Sequence, residues 1–271
     1  MRVKQIKAIA LLTFKQALGG KAVYGIILGA FFCSAITIGL AGFFMHDIDK
    51  VAIDFTLSFI SFCSLILLFF VGANLILNDI NKKTIYFILS KPFSRQEYII
   101  GKLAGLIFFC TTGIIIFSIA GFITIIIIKY MYSAYFKDFI WSLFFTAIYA
   151  HILMVALLNS IILFFSTITF NSFLILISSI TTYIVGQTIE EIYFYIKNQT
   201  SIIPLSYFVE NTINAMYYIA PNLALFDLKT NAAHCIPISK TYILSITFYA
   251  VTYIILITTA SCIIFSKRDL P

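Results

Sequence analysis

Apolar stretches of about twenty residues alternate along this chain with short polar breaks. Six such runs, at about 22–45, 54–77, 103–128, 139–165, 171–189 and 241–265, each approach the ~20 residues a helix needs to cross ~30 Å of hydrocarbon. Within a bilayer the main-chain N–H and C=O groups must be satisfied inside the segment, so runs of this length are helices rather than strands. Ahead of them, residues 2–18 place Val3, Ile6, Ala10, Phe14 and Ala17 at helical spacing, with Lys4, Lys7 and Lys15 mainly elsewhere. That pattern predicts an amphipathic interfacial helix on the membrane surface, its lysines near anionic headgroups. Gly19-Gly20 ends it.

The longest connection, about 190–240, joins the fifth and sixth runs. Within it, Ile203, Leu205, Phe208, Val209, Ile213, Met216, Tyr217 and Ile219 make the stretch from Ile203 to Phe226 too apolar for a free loop. A short outer helix is predicted there, re-entrant or interfacial, bracketed by Pro204 and Pro221. The expected fold class is therefore an all-α integral membrane protein, with residues 1–271 forming a single transmembrane domain of six helices. No internal repeat, soluble domain or disordered linker is evident.

Composition agrees. The chain is 61% hydrophobic and 11% charged, whereas a soluble domain carries about 25% charged residues. A net charge of +7 reads as topology. Arg2, Lys4, Lys7, Lys15, Lys21, Lys82, Lys83, Lys91, Arg95, Lys102, Lys267 and Arg268 fall on one side of the six runs. Lys50, Lys129, Lys137, Lys197, Lys229 and Lys240 fall on the other. The positive-inside rule then puts both termini in the cytoplasm. No basic, aromatic-interleaved soluble surface exists, so nucleic acid is not an expected partner. The first apolar run exceeds a signal-peptide core and no small-residue cleavage site follows it, so no cleavable leader is expected. Cys33, Cys63, Cys110 and Cys262 lie in apolar runs and Cys235 in a loop, with no metal-ligand spacing among them.

The stretch from Asn78 to Gly105 differs from the rest. Asp79 or Asn81 can cap a short helix at about 80–90, with Ile85, Phe87, Ile88 and Leu89 on its apolar side, Lys82 and Lys83 at its start and Pro92 at its end. Ser94-Arg95-Gln96-Glu97 is a capping box that starts a second helix continuing into the third span. From Arg95 to Ile128 such a helix covers ~50 Å and overshoots the bilayer. A push on the short helix would enter a continuous rod.

Asp79, Thr84, Ile88, Leu89, Ser90, Pro92, Phe93, Ser94, Arg95, Gly101 and Lys102 together resemble the membrane subunits of type-2 ABC transporters. In that family the segment is a coupling helix docking on a separate cytoplasmic ATPase. The resemblance implies that Asp79, Lys82, Thr84, Ile85, Phe87, Ile88, Leu89, Pro92, Ser94 and Arg95 serve that contact. It also implies two ATPase subunits that bind ATP and magnesium, a second permease protomer (an identical or related chain), and a bacterial cytoplasmic (inner) membrane. Two positions depart from the pattern: Lys83 stands where a glycine is usual and Asp79 where a glutamate is usual. A second set, Tyr183-Ile184-Val185-Gly186, Ala220-Pro221-Asn222, Leu225-Phe226-Asp227 and Ser266-Lys267-Arg268-Asp269, resembles small permeases associated with copper-enzyme maturation.

The chain itself has no Walker A motif: Gly101-Lys102 has Gln96 at the first glycine position and Leu103 at the Ser/Thr position. Neither H-E-x-x-H nor G-x-S-x-G is present, so no enzymatic role or resident cofactor is expected. Among intramembrane polar residues, His151 is a pathway candidate or a neutral histidine bonded to a neighbouring helix. Asn74 and Asn159 are candidates for interhelical bonding or, alternatively, for the pathway. Gly25, Gly29 and Ser34 give the first span a small-residue face; the resemblance implies a path between protomers lined by the first and fifth spans, so this face is expected to form the dimer interface. Gln187, Glu190 and Glu191 at the outer end of the fifth span form either a polar cap or an exit gate. The function expected from all this is a permease subunit that exports or flips an amphiphilic or hydrophobic cargo. The alternatives are a secondary transporter or channel, which would need intramembrane charges, and a non-transporting assembly factor.

Overall fold

The computed structural model describes residues 2–19, 22–43, 47–81, 94–133, 140–169, 171–199 and 207–267. Among them the secondary structure is helical throughout, without strands. The helices are α1 (Arg2–Leu18), α2 (Ala22–Ala41), α3 (Ile48–Asn81), α4 (Arg95–Met131), α5 (Trp141–Ile168), α6 (Ser172–Gln199), α7 (Tyr207–Ile219), α8 (Lys229–Ala233) and α9 (Lys240–Lys267), with a 3-10 turn at Ala224–Phe226.

Six of these helices, α2 to α6 and α9, are long and apolar enough to cross a membrane. Six spans were expected and six are found; α2 ends at Ala41, and several other helices continue beyond the expected runs. α3 begins at Ile48 and ends at Asn81, and α6 runs to Gln199. The 37 residues of α4 reach about 55 Å, well past the ~30 Å of hydrocarbon. Polar ends carry a helix on into water once its apolar middle has been set, which a search for apolar runs does not register.

α5 is the central helix: 72% of its most apolar window is buried, against 17% for α2. α3, α4, α6 and α9 pack around it, and α2 lies outside against α3 and α4. Leu157, Leu158, Ile162 and Leu163 of α5 are completely buried beside Leu68 of α3 and Leu106 and Ile114 of α4. The alternating crossings bring α1, the end of α3, the start of α4 and the end of α9 to one end of the bundle, here called the basic end. The described residues between α6 and α9, 207–239, lie at the other end. There α7 packs against α6, Tyr217 stacking on Tyr193, and residues 221–236 fold back against the spans, burying Leu223, Phe226, Leu228, Ala232 and Ala233.

The predicted outer helix is thus narrower than its apolar stretch: α7 stops at Ile219, and Pro221 opens the inward-folded segment. α1 also differs from expectation. Its buried residues are Ile9, Thr13 and Ala17, while Val3, Leu11 and Leu12 are exposed. It is docked on α4, a contact its own sequence did not announce, and its remaining apolar side faces outward.

Candidate functional site

The basic end is organised where the end of α3 and the start of α4 come together against α1 and α9. Of the coupling-helix expectation, Lys82, Thr84, Ile85, Phe87, Ile88, Leu89 and Pro92 lie outside the described residues; Asp79, Ser94 and Arg95 lie within them. Ser94 caps α4 as its sequence predicts. The hydroxyl accepts from the Glu97 N–H at 3.2 Å, and the Glu97 carboxylate accepts from the Ser94 N–H at 2.9 Å. Two of the amides left open at a helix N-terminus are thereby satisfied. Arg95 turns to the end of α9. Its Nη1 donates to the carbonyls of Phe265 and Ser266, both at 3.2 Å, groups that the last turn of a helix leaves without intrahelical partners. One turn further on, Tyr98 stacks on Phe265, ring centroids 5.9 Å apart.

Asp79 is buried in this frame. Its Oδ2 lies 2.6 Å from the Lys102 ammonium, and the two side chains are 4% and 1% exposed. The Tyr98 hydroxyl donates to the same oxygen at 3.0 Å. Gln16 of α1 joins both charges: its amide nitrogen donates to Asp79 Oδ1 at 3.4 Å, and its amide oxygen accepts from Lys102 at 3.1 Å. Charges taken out of water persist only when paired and hydrogen-bonded, and this pair has both. The Asp79 carboxylate therefore faces α1 and α4 inside the protein. Tyr98, Lys102 and Gln16 had no assigned role in the sequence. Lys102 read there as a cation obeying the positive-inside rule; the signal available was its spacing of four from Tyr98, which puts both on one helix face.

Gly101 and Gly105 bring α1 close enough for this network. A Cβ on Gly101 would lie 2.7 Å from Ile9 Cβ, and one on Gly105 would lie 2.6 Å from Thr13 Cβ and 2.7 Å from the Ala10 carbonyl. Small residues four apart let two helix backbones meet, the common means of helix association in membranes. Phe14 closes the seam against Phe108, with ring centroids at 4.7 Å.

A second polar cluster sits towards the opposite end. His151 of α5 places Nε2 2.6 Å from Ser64 Oγ and Nδ1 3.5 Å from Ser61 Oγ, both on α3. It thus bonds to a neighbouring helix, one of its two expected placements. Beside it is a cavity of about 20 Å³, bordered by Ser61, His151, Tyr183, Gln187, Asp227 and Lys229 among others. Roughly one water molecule fits such a space. Asp227 and Lys229 pair at 3.2 Å on its rim.

Gln187 borders this cavity and donates to Met154 Sδ at 3.4 Å; the Glu190 carboxylate accepts from the Asn222 side chain at 2.7 Å. Glu191 is exposed. The separated motifs Tyr183–Gly186 and Pro221–Asp227 meet here, because the Leu223 N–H donates to the Gly186 carbonyl at 2.8 Å. A Cβ on Gly186 would lie 2.7 Å from the Pro221 carbonyl, so that contact requires glycine.

The other candidates are scattered. Gly25 faces open space, but Gly29 packs inside the protomer, where a Cβ would stand 3.3 Å from Phe117 and 3.4 Å from Cys63. The Ser34 hydroxyl donates to the Ala30 carbonyl of its own helix at 3.0 Å, and the Asn74 amide donates to the Phe70 carbonyl at 2.8 Å. Asn159 is wholly buried, donates to the Val155 carbonyl at 3.0 Å and receives the Cys110 thiol of α4 at 3.9 Å. Among the described residues, no group of three or more His, Cys, Asp or Glu side chains could hold a metal ion.

Six membrane-length helices among the described residues, with a buried ionic network joining the base of the second span to that of the third, have the form of a polytopic membrane protein. Residues 12–270 match the family described as "ABC-2 family transporter protein", and the chain belongs to that family. It is therefore an integral membrane subunit of the ABC transporter permease type, and association with ABC ATPase partners follows from the family. No curated protein matches the chain at a significant level.

Proposed function

We propose that this subunit converts ATP hydrolysis by a separate ATPase into export or flipping of an amphiphilic or hydrophobic cargo. Two ATPase chains, holding ATP and magnesium, dock at the segment 82–93 on the cytoplasmic side of a bacterial inner membrane. Two permease protomers stand side by side, and cargo passes between them when the ATPases close. The observation that carries this reading is the organisation of the basic end. The helices that enter and leave 82–93 are joined to each other, to α1 and to α9, as a segment that takes up force would require. For the protomer contact, α2 offers an outer face of Tyr24, Ile27, Leu28, Phe31 and Phe32, all more than half exposed.

Replacing Ile85, Phe87 and Leu89 together by charged residues tests the docking. The ATPase should no longer co-purify in mild detergent, while the permease keeps its helical content and its thermal transition. An ATPase that remains bound to this variant would sink the proposal.

A further inference from the structure

The buried network at the basic end has a role that docking alone does not explain. A segment joined to two independent helices absorbs a push by swinging at its ends. At 82–93 the ends are not independent. Asp79, near the end of α3, is held by Lys102 at 2.6 Å and Tyr98 at 3.0 Å, both on α4. Gln16 of α1 spans the pair, donating to Asp79 at 3.4 Å and accepting from Lys102 at 3.1 Å. α1 is itself locked to α4 at Gly101 and Gly105. α3 also packs on α4 along the spans, whereas α3 and α1 make few other contacts, so the polar network is what joins α3 to α1 and fixes all three helices together at the base.

We infer that Asp79, Lys102, Tyr98 and Gln16 are positioning residues, a clamp that makes α1 and the bases of α3 and α4 move as one body. The clamp rests on the coupling reading of 82–93 given above. Its parts suit the task. An ion pair excluded from water is stiff and costly to open, and each charge keeps additional hydrogen-bond partners. Asp79 thus acts through its own protein interior, where the resemblance implied a surface contact to the ATPase.

The test uses the permease with its ATPase in lipid nanodiscs, in a background with the five native cysteines replaced. Spin labels at Asn74→Cys and Gln96→Cys, both exposed positions, report the separation of the α3 and α4 bases with and without vanadate-trapped nucleotide. With the clamp intact, one narrow distance should persist in both states, and Asp79→Glu should preserve it. In Asp79→Asn/Lys102→Met the ATPase should stay bound, but the distance should shift or broaden on trapping, and permease-dependent ATPase stimulation should fall several-fold. If that double variant does not fold, Gln16→Leu/Tyr98→Phe, which keeps the ion pair, should show the same broadening to a smaller degree. A wild-type distance that changes on trapping overturns the clamp, as does a folded clamp variant that behaves like wild type with ATPase bound. Failure of the ATPase to bind wild type at all would instead remove the coupling reading, and the clamp with it.

Discussion

Lys102 Nζ and Asp79 Oδ2 lie 2.6 Å apart in a site almost closed to solvent, joining two helices whose sequences are separated by the segment 82–93. Removing one partner leaves the other charge buried and uncompensated, which typically costs about 3–5 kcal/mol. Removing both leaves a neutral site. Lys102→Met alone should therefore lower the apparent melting temperature in detergent strongly, and Asp79→Asn/Lys102→Met should recover most of that loss. Equal melting of the single and double variants would show that the pair is not coupled in the folded protein.

The seam between α1 and α4 makes a different prediction. Gly105 faces the Ala10 carbonyl, a main-chain atom that cannot rotate away, so a side chain there must move the helix. Gly105→Leu should detach α1 without disturbing the spans. Ala17 is 3% exposed, so a cysteine at that position should be protected from maleimide in an otherwise cysteine-free protein. In the Gly105→Leu background it should react, at unchanged helical content. Continued protection would mean that α1 is held mainly by other contacts.

These two features mark where sequence reasoning runs out. The six spans were legible because a bilayer demands long apolar runs and internal hydrogen bonding, both local properties. The capping box at Ser94 was legible for the same reason: its two partners lie three residues apart. The clamp was not. It depends on the register of α1, α3 and α4, set by the fit of Ile9 and Thr13 over Gly101 and Gly105, and hydropathy carries no trace of that. Likewise the apolar pattern of α1 suggested a face running from Val3 to Ala17, whereas small residues on another helix chose the face that docks. The fold-back of residues 221–236 was not legible either: as far as Phe226 it read only as the end of an apolar outer stretch, and its buried Leu223 and Phe226 are too few to form a periodic pattern.

Arg95 links the start of α4 to the end of α9 through the carbonyls of Phe265 and Ser266. The contact is partly exposed, so its worth in global stability is about 1 kcal/mol or less. Its local effect is larger, because the last carbonyls of a helix have no other fixed partner. In Arg95→Ala the amides near residues 262–267 should exchange hydrogen markedly faster, with little change in the global melting temperature. Arg95→Lys, which lacks the guanidinium fork, should fall between the two. Unaltered exchange at the end of α9 would show that its packing, such as that of Phe265 on Tyr98, is sufficient.

The hydrogen count around His151 leads to a statement about its tautomer. Each serine hydroxyl has one hydrogen to give. Ser61 directs its own to the Leu57 carbonyl at 2.9 Å, and Ser64 to the Ser61 carbonyl at 2.8 Å. With both hydroxyl hydrogens so directed, the 2.6 Å contact between Ser64 Oγ and Nε2 runs from the ring to the hydroxyl, and the expected tautomer carries its proton on Nε2. Nδ1 is left as an acceptor 3.5 Å from Ser61, too long for a good bond, beside a cavity of about 20 Å³ that accommodates roughly one water. Nitrogen-15 spectra of histidine-labelled protein in lipid should show a neutral ring protonated at Nε2, with Nδ1 in contact with water. Ser64→Ala should cost about 1 kcal/mol of stability and loosen this preference, since the acceptor for Nε2–H is gone. A ring protonated at Nδ1 would overturn this assignment: the Ser64 hydroxyl would then donate to Nε2, and Nδ1–H would face the cavity.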